Sequence, residues 1–367
     1  MTLHDKLTET QSLLHLCCTG AGAGLQKFIW DTPGASAYLV GSHFPYAQTQ
    51  LCAFIGKEPK SSYCSKETAI EMAMKSYIQA AEHKLRRGVS GAPIGLAVTA
   101  SVASLRIPRG EHRAHIAVIT EKSVQTRHVI LEKSSGLDAR RSHDRIVTKA
   151  ALQLLEDALK DTVQKDESDI ALELLFEAPS FYPNGRRSKK TSRGVYLPAS
   201  LNPLHDGHRL MVKAAEITLG EPVTFMVNID PPHKPKLSLQ RILEIIAVFR
   251  NENTGDSKTS TNTNILELTR NEALFLDKAR SRPKSHFIIG ADTMSRLLET
   301  RWGPQIEPML SEMRKLGIQF HVMGREIDGS FTTCRDIAVP FPHQLLFRPL
   351  DGRLDISSSQ LRKFAIS

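Results

Sequence analysis

From residue 194 onward the apolar positions alternate between two rhythms. GVYLPAS (194–200), PVTFMVNI (222–229), HFIIGAD (286–292) and IQFHVMGR (318–325) are short, mostly apolar runs that read as buried strands. Between them, DGHRLMVKAAEITLG (206–220), LSLQRILEIIAVFRN (237–251), TMSRLLET (293–300) and PMLSEMRKLG (308–317) carry apolar residues at helical spacing. Gly220 supplies the stop of the first of these helices. Strand followed by helix, repeated, predicts a doubly wound parallel α/β sheet that binds ligands at the carboxyl ends of its strands. The stretch EAPSFYPNGRRSKKTSR (177–193) holds two prolines, a glycine and a basic run, the composition of a linker. The pattern therefore predicts two α/β domains, 1–176 and 194–367, joined by 177–193. Within the second, NENTGDSKTSTNTN (251–264) reads as a polar surface loop.

Composition narrows the classes. The chain has 367 residues, 41% of them apolar and 24% charged, ordinary values for a globular protein of about two domains. No apolar run approaches the ~18–20 residues of a membrane span. Asp5 and Glu9 break up the N-terminal charge pattern, and no signal or transit peptide is read there. The five cysteines, Cys17, Cys18, Cys52, Cys64 and Cys334, form no CxxC pair, as expected of reduced thiols in a cytoplasmic protein, with a nuclear one also open. The net charge of +9 suits phosphorylated small molecules, an anionic surface or nucleic acid. The run GRRSKKTSR (185–193) reads as a solvated linker or as a localisation patch. No aromatic signature of RNA binding accompanies it, so no nucleic-acid partner is expected, nor a membrane one.

The candidate chemistry lies where strands pass into helices. In SLNPLHDGHRL (200–210), His205 and His208 fall between the first strand and the first helix of the second block. Helix N-termini attract anions through unpaired N–H groups and the macrodipole. Alone, the pair reads as a structural loop, a metal site or a phosphate site. A metal would want further ligands, and only Asp206 is near, so no metal site is expected. In DISSSQLRKF (355–364), Ser357, Ser358 and Ser359 precede a helical run, as caps or as phosphate ligands, with Arg362 one turn on.

On these residues the second block resembles the HxGH nucleotidyltransferase superfamily. It is most similar to nicotinamide/nicotinate mononucleotide adenylyltransferases, through SLNPLHDGH, PPHK (231–234), FIIGADT (287–293) with Trp302 downstream, VMGR (322–325) and ISSSQLR (356–362). The resemblance implies transfer of AMP from ATP to the mononucleotide, giving NAD or its deamido form and pyrophosphate, with Mg²⁺ carried by ATP. It implies His205, His208 and Arg362 as the catalytic groups. Ser200, Asn202, Gly207, Ser357, Ser358, Gly290 and Asp292 would serve ATP and its phosphates; Lys234, Trp302 and Arg325 would serve the mononucleotide. Two departures stand out: Pro198 and Ala199 where glycine usually precedes the serine, and Leu201 where phenylalanine is common. Proline removes a backbone donor, leaving the N–H of Ala199 to face the nucleotide.

Residues 10–160 resemble the C-terminal domain of CinA proteins, which in bacteria act as nicotinamide-nucleotide amidases. The matching stretches are CTGAGAG (18–24), TPGASAYLVGSHFPY (32–46), CSKETAIEMA (64–73), AVTASVAS (97–104) and ARRSHDRIVTKAALQLL (139–155). The resemblance places Ser36 and Tyr46 at active-site positions and Arg141 and Arg145 at a basic pair. Leu51 replaces a lysine, TASVAS (99–104) replaces a glycine-bearing loop, and Leu16 takes an acidic position. A degenerate domain that packs, oligomerises or regulates is expected, and a homo-oligomer is left open. The alternatives are a bifunctional amidase–adenylyltransferase and a non-catalytic pyridine-nucleotide sensor.

Overall fold

The computed structural model describes residues 1–107, 109–160, 166–177, 181, 193–201, 203–231, 235–254, 265–299, 305–327 and 329–354. The chain is mixed α/β in two compact units, Met1–Gly185 with Ser238–Gly255, and Arg186–Leu237 with Asp256–Ser367. Nearly all of the expected linker lies outside the described residues.

The first unit runs α1 (Leu3–Glu9), β1 (Ser12–Thr19), α2 (Ala23–Trp30), β2 (Leu39–His43), α3 (Gln48–Ile55), α4 (Lys66–Arg87), β3 (Ala92–Ser101), β4 (His112–Ile119), β5 (Val124–Leu131), α5 (Leu137–Leu159) and α6 (Ser168–Glu177). Its sheet has the order β2-β1-β3-β4-β5, with β2, β1 and β3 parallel and β3, β4 and β5 antiparallel. One core joins Leu14, Leu16, Leu96, Val98 and Ile116 of the sheet to Val147, Ala151 and Leu154 of α5. The 22-residue α4 is capped by Ser65, whose hydroxyl accepts the N–H of Thr68, and ends at a left-handed Gly88.

The second unit holds β6 (Val195–Pro198), α7 (Asp206–Leu219) and β7 (Val223–Asn228). After α8 (Leu239–Thr254) come β8 (Ile265–Thr269), α9 (Phe275–Ser281), β9 (His286–Gly290), α10 (Ala291–Leu297), α11 (Ile306–Lys315), β10 (Gln319–Ile327), β11 (Ser330–Thr332) and β12 (Phe347–Leu354). The parallel strands lie in the order β8-β7-β6-β9-β10-β12, and β11 pairs antiparallel with β10. This is the doubly wound order, with its switch between β6 and β9, where such sheets bind ligands. Four elements, β8, α9, β11 and β12, were not legible in the sequence. The helix expected at 237–251 forms as α8, but it packs on α4 and belongs to the first unit. Its buried Ile242, Leu243, Ile246 and Phe249 leave too little polar face for a solvated crossover helix.

A buried ionic cluster stands behind the second sheet. Arg282, 1% exposed, reaches Glu272 and Glu267 at 2.5 Å each and lies 5.4 Å from the centre of the Tyr196 ring. Lys278 donates to the carbonyls of Glu272 (2.5 Å) and Ala273 (3.2 Å), and burial pulls its amine down to about 8. Arg282→Met strands two buried carboxylates, and removing one partner of such a pair typically costs about 3–5 kcal/mol. Denaturant unfolding should register a loss of that size; a loss below about 1 kcal/mol would show that the cluster is solvated.

Candidate functional site

At the carboxyl edge of the second sheet, β6 ends at Pro198, and the N–H of Ala199 donates to the carbonyl of Met226 at 3.0 Å. The sequence expectation that this N–H faces a nucleotide is therefore corrected: it extends the pairing with β7. Leu201 is buried at φ +46°, a left-handed conformation that costs a branched side chain energy and sets the turn toward α7. Ser200 is half-buried on this loop, and Asn202 lies outside the described residues.

His205 caps α7 with extended backbone, and its N–H donates to Nδ1 of His208 at 3.3 Å. The rings stack with centroids 3.8 Å apart. Because Nδ1 of His208 accepts, its proton sits on Nε2, which becomes a donor. Burial, and then the neighbouring His205, push His208 down to about 3. His205 is also lowered, chiefly by burial; the carboxylate of Asp206 opposes this, and the charges of Arg325 and Arg209 add smaller downward pushes. Its Nδ1 is buried without a hydrogen-bond partner. Gly207 lies buried in the first turn of α7.

Next to β6, β9 ends at Gly290, which caps α10 with extended backbone and places Asp292 in its first turn. Asp292 is held by Arg325 of β10 at 2.9 Å and by Arg296. Arg325 thus joins the two loops, ion-paired to one and electrostatically felt by the other. His205, Gly207, His208, Gly290, Asp292 and Arg325 are brought to one edge. β12 pairs with β10 through Leu354 opposite Arg325, so the chain leaves the sheet at the end where β10 carries that arginine. Ser357, Ser358 and Arg362 beyond it, with Lys234 and Trp302, lie outside the described residues.

In the first unit no hydrogen bond or ion pair among the described residues joins the four resemblance-derived positions to one another. Ser36 is exposed in the turn before β2 and Tyr46 follows β2, so the strand separates them. Arg141 is paired on the surface with Asp138 at 3.7 Å, and Arg145 is exposed on α5. Arg140, not singled out in the sequence, bridges the carbonyls of Ala103 (3.0 Å) and Gly20 (3.5 Å) and the Tyr46 hydroxyl (3.3 Å). Gly20 sits at φ +80°, and a Cβ there would come within 1.9 Å of the Ala100 carbonyl oxygen. The loop after β1 is anchored by Asp144, also missed. Its Oδ1 accepts the N–H groups of Gly22 (2.7 Å) and Ala23 (3.1 Å), and its Oδ2 that of Gly24 (3.1 Å). The readable signal was the glycine-rich turn itself, which leaves backbone donors in want of an anion. Burial raises the thiols of Cys17 and Cys18, the latter to about 12. Leu51, at the expected lysine position, is core. Among the described residues no three His, Cys, Asp or Glu side chains gather to hold a metal ion, and no helix is long and apolar enough to cross a membrane.

No family model matches the chain, and no curated protein does. Solved structures similar to part of it are CinA-superfamily proteins. One from Klebsiella pneumoniae is 12% identical, covers 44% of this chain and 94% of its own, and has a TM-score of 0.34. One from Escherichia coli is 14% identical, covering 42% and 86%, with a TM-score of 0.34. The CihA protein of Agrobacterium tumefaciens is 16% identical, covering 43% and 91%, with a TM-score of 0.32. At these values they assign no activity.

Since native His208 stays neutral to about 3 while an unfolded histidine takes its proton near ~6.5, its contribution to stability is whole above about pH 6.5 and is lost as the pH falls below it. The slope is at most ~1.4 kcal/mol per pH unit. Unfolding of His208→Gln should therefore depend less steeply on pH between about 6.5 and 4.5 than that of the parent chain. Parallel curves would mean that His208 is protonated in the fold.

Proposed function

We propose that the second unit transfers AMP from ATP to nicotinamide or nicotinate mononucleotide, releasing pyrophosphate. The observation that carries this reading is the union of His205, His208, Asp292 and Arg325 at the switch edge between β6 and β9. The ordered HxGH-type motifs support it from the sequence side.

The chemistry asks little of a base. A phosphate oxygen of the mononucleotide attacks the α-phosphorus of ATP, and the bond from that phosphorus to the oxygen bridging to the β-phosphate breaks. The nucleophile is already an anion, so catalysis rests on positioning and on neutralising charge that develops in the transition state. His208 offers a fixed Nε2–H, and being neutral it donates without drawing the substrate anion into an ion pair. Arg325 supplies a cation whose direction Asp292 holds. Asp292 is occupied by Arg325 and Arg296, so Mg²⁺ would ride on the triphosphate and water and supply charge neutralisation there. Ser357, Ser358 and Arg362 are assigned to the leaving phosphates, and Lys234 and Trp302 to the mononucleotide.

The first unit is proposed as non-catalytic. Asp144 fills the backbone anion site of its sheet edge, Cys17 and Cys18 are buried and hard to ionise, and Ser36 and Tyr46 fall on opposite sides of β2 along the chain.

Incubated with ATP, Mg²⁺ and either mononucleotide, the chain should release pyrophosphate, and His208→Ala should slow release by ~10²–10³-fold, as expected for losing one transition-state donor. ATP binding without pyrophosphate release would replace this reading with that of a nucleotide sensor. No ammonia should form from nicotinamide mononucleotide; its appearance, abolished by Tyr46→Phe, would restore an amidase in the first unit.

A further inference from the structure

The first unit carries a cleft. It has a volume of about 470 Å³ and lies between α1, α2 and α5, within the ~300–1,000 Å³ usual for small-molecule sites. Its wall is largely apolar: Leu3, Phe28 and Leu152 face it. Two features keep it open and shaped. Gly24 lets α2 approach α5, since a Cβ there would stand 2.5 Å from the Thr148 hydroxyl oxygen. On the other side Lys6 of α1 is ion-paired to Glu156 of α5.

Both carboxylates of the cleft are engaged by other groups. Asp144 is saturated by three backbone N–H groups, and Glu156 is shared between Lys6 and Lys160. Arg145 and Lys149, one turn apart on α5, have no ion-pair partner among the described residues and are exposed. The Thr148 hydroxyl between them in sequence is buried without a hydrogen-bond partner. An apolar wall with two adjacent cations at its mouth matches a molecule with an apolar body and one anionic head.

We propose that this cleft binds a small amphiphilic organic anion, its apolar body against Leu3, Phe28 and Leu152 and its anionic head between Arg145 and Lys149. Arg145, expected from the resemblance to face an amidase site, serves this cleft instead. A bare phosphate gains too little from two solvated cations to bind, and a neutral apolar molecule gains nothing from them.

The probe is the aromatic sulfonate 8-anilinonaphthalene-1-sulfonate, with N-phenyl-1-naphthylamine as the uncharged aromatic of the same frame. Titrated into the full chain, the sulfonate should show a saturable one-site fluorescence rise. Arg145→Gln with Lys149→Gln should weaken it by about tenfold and leave the neutral amine within about twofold. Both positions are exposed, and unchanged circular dichroism and melting would show that the fold survives. Superimposable sulfonate titrations of parent and variant would overturn the proposal. So would displacement of the sulfonate by millimolar inorganic phosphate, which would mark a plain anion site.

Discussion

Between His205 and His208 runs a single hydrogen bond, from a backbone N–H to an imidazole nitrogen, and the character of the second unit's edge depends on it. It uses the cap position of α7 to fix one ring against the other, and it settles which nitrogen of His208 carries the proton. Burial removes the charged form as a competitor. What reaches the switch between β6 and β9 is therefore a neutral donor of set direction rather than a mobile cation. The cation at this edge is Arg325, aimed by Asp292 across the neighbouring loop. Neutral donor and aimed cation are what the proposed transfer asks for, since its nucleophile needs no deprotonation.

The two units treat the same physical problem in opposite ways. Each has a turn from a parallel strand into a helix, and each turn presents backbone donors at the carboxyl edge of its sheet. In the first unit the donors of Gly22, Ala23 and Gly24 converge on the carboxylate of Asp144, more than a hundred residues along the chain. The edge is satisfied from within, and Arg140 ties the remaining carbonyls to Tyr46. In the second unit, among the described residues, no carboxylate takes that position: in the first turn of α7 Asp206 is exposed and paired with Arg209 at 2.7 Å. The buried Nδ1 of His205, without a partner, belongs to the same unsatisfied edge.

Buried charge gives the second unit its other constraint. Arg282 is enclosed by Glu267, Glu272 and the face of Tyr196, all reached from β8, the turn after it and β6. Such a cluster tolerates only one arrangement of these elements, because any slip leaves an ion in an apolar interior. It lies in the span between the polar loop and β9 where periodicity showed nothing. The strand there is short, its glutamate interrupts the apolar run, and α9 is only seven residues long.

Read from its residues alone, the chain determined its class, its order of strand and helix over most of the second unit, and the place of the histidine pair at the start of α7. These are local matters of apolar spacing, turn residues and caps, and neighbours along the chain decide them. Tertiary structure decided what depends on distant partners. It took α8 into the first unit because α4 offers its apolar face a buried surface. It spent the N–H of Ala199 on β7. It set Ser36 and Tyr46 at either end of β2, and it filled the first glycine loop with Asp144 rather than with an outside anion. The reason is the same each time: a donor, an acceptor or an apolar face is satisfied by whatever the fold brings within about 3–4 Å, and sequence spacing carries no record of that.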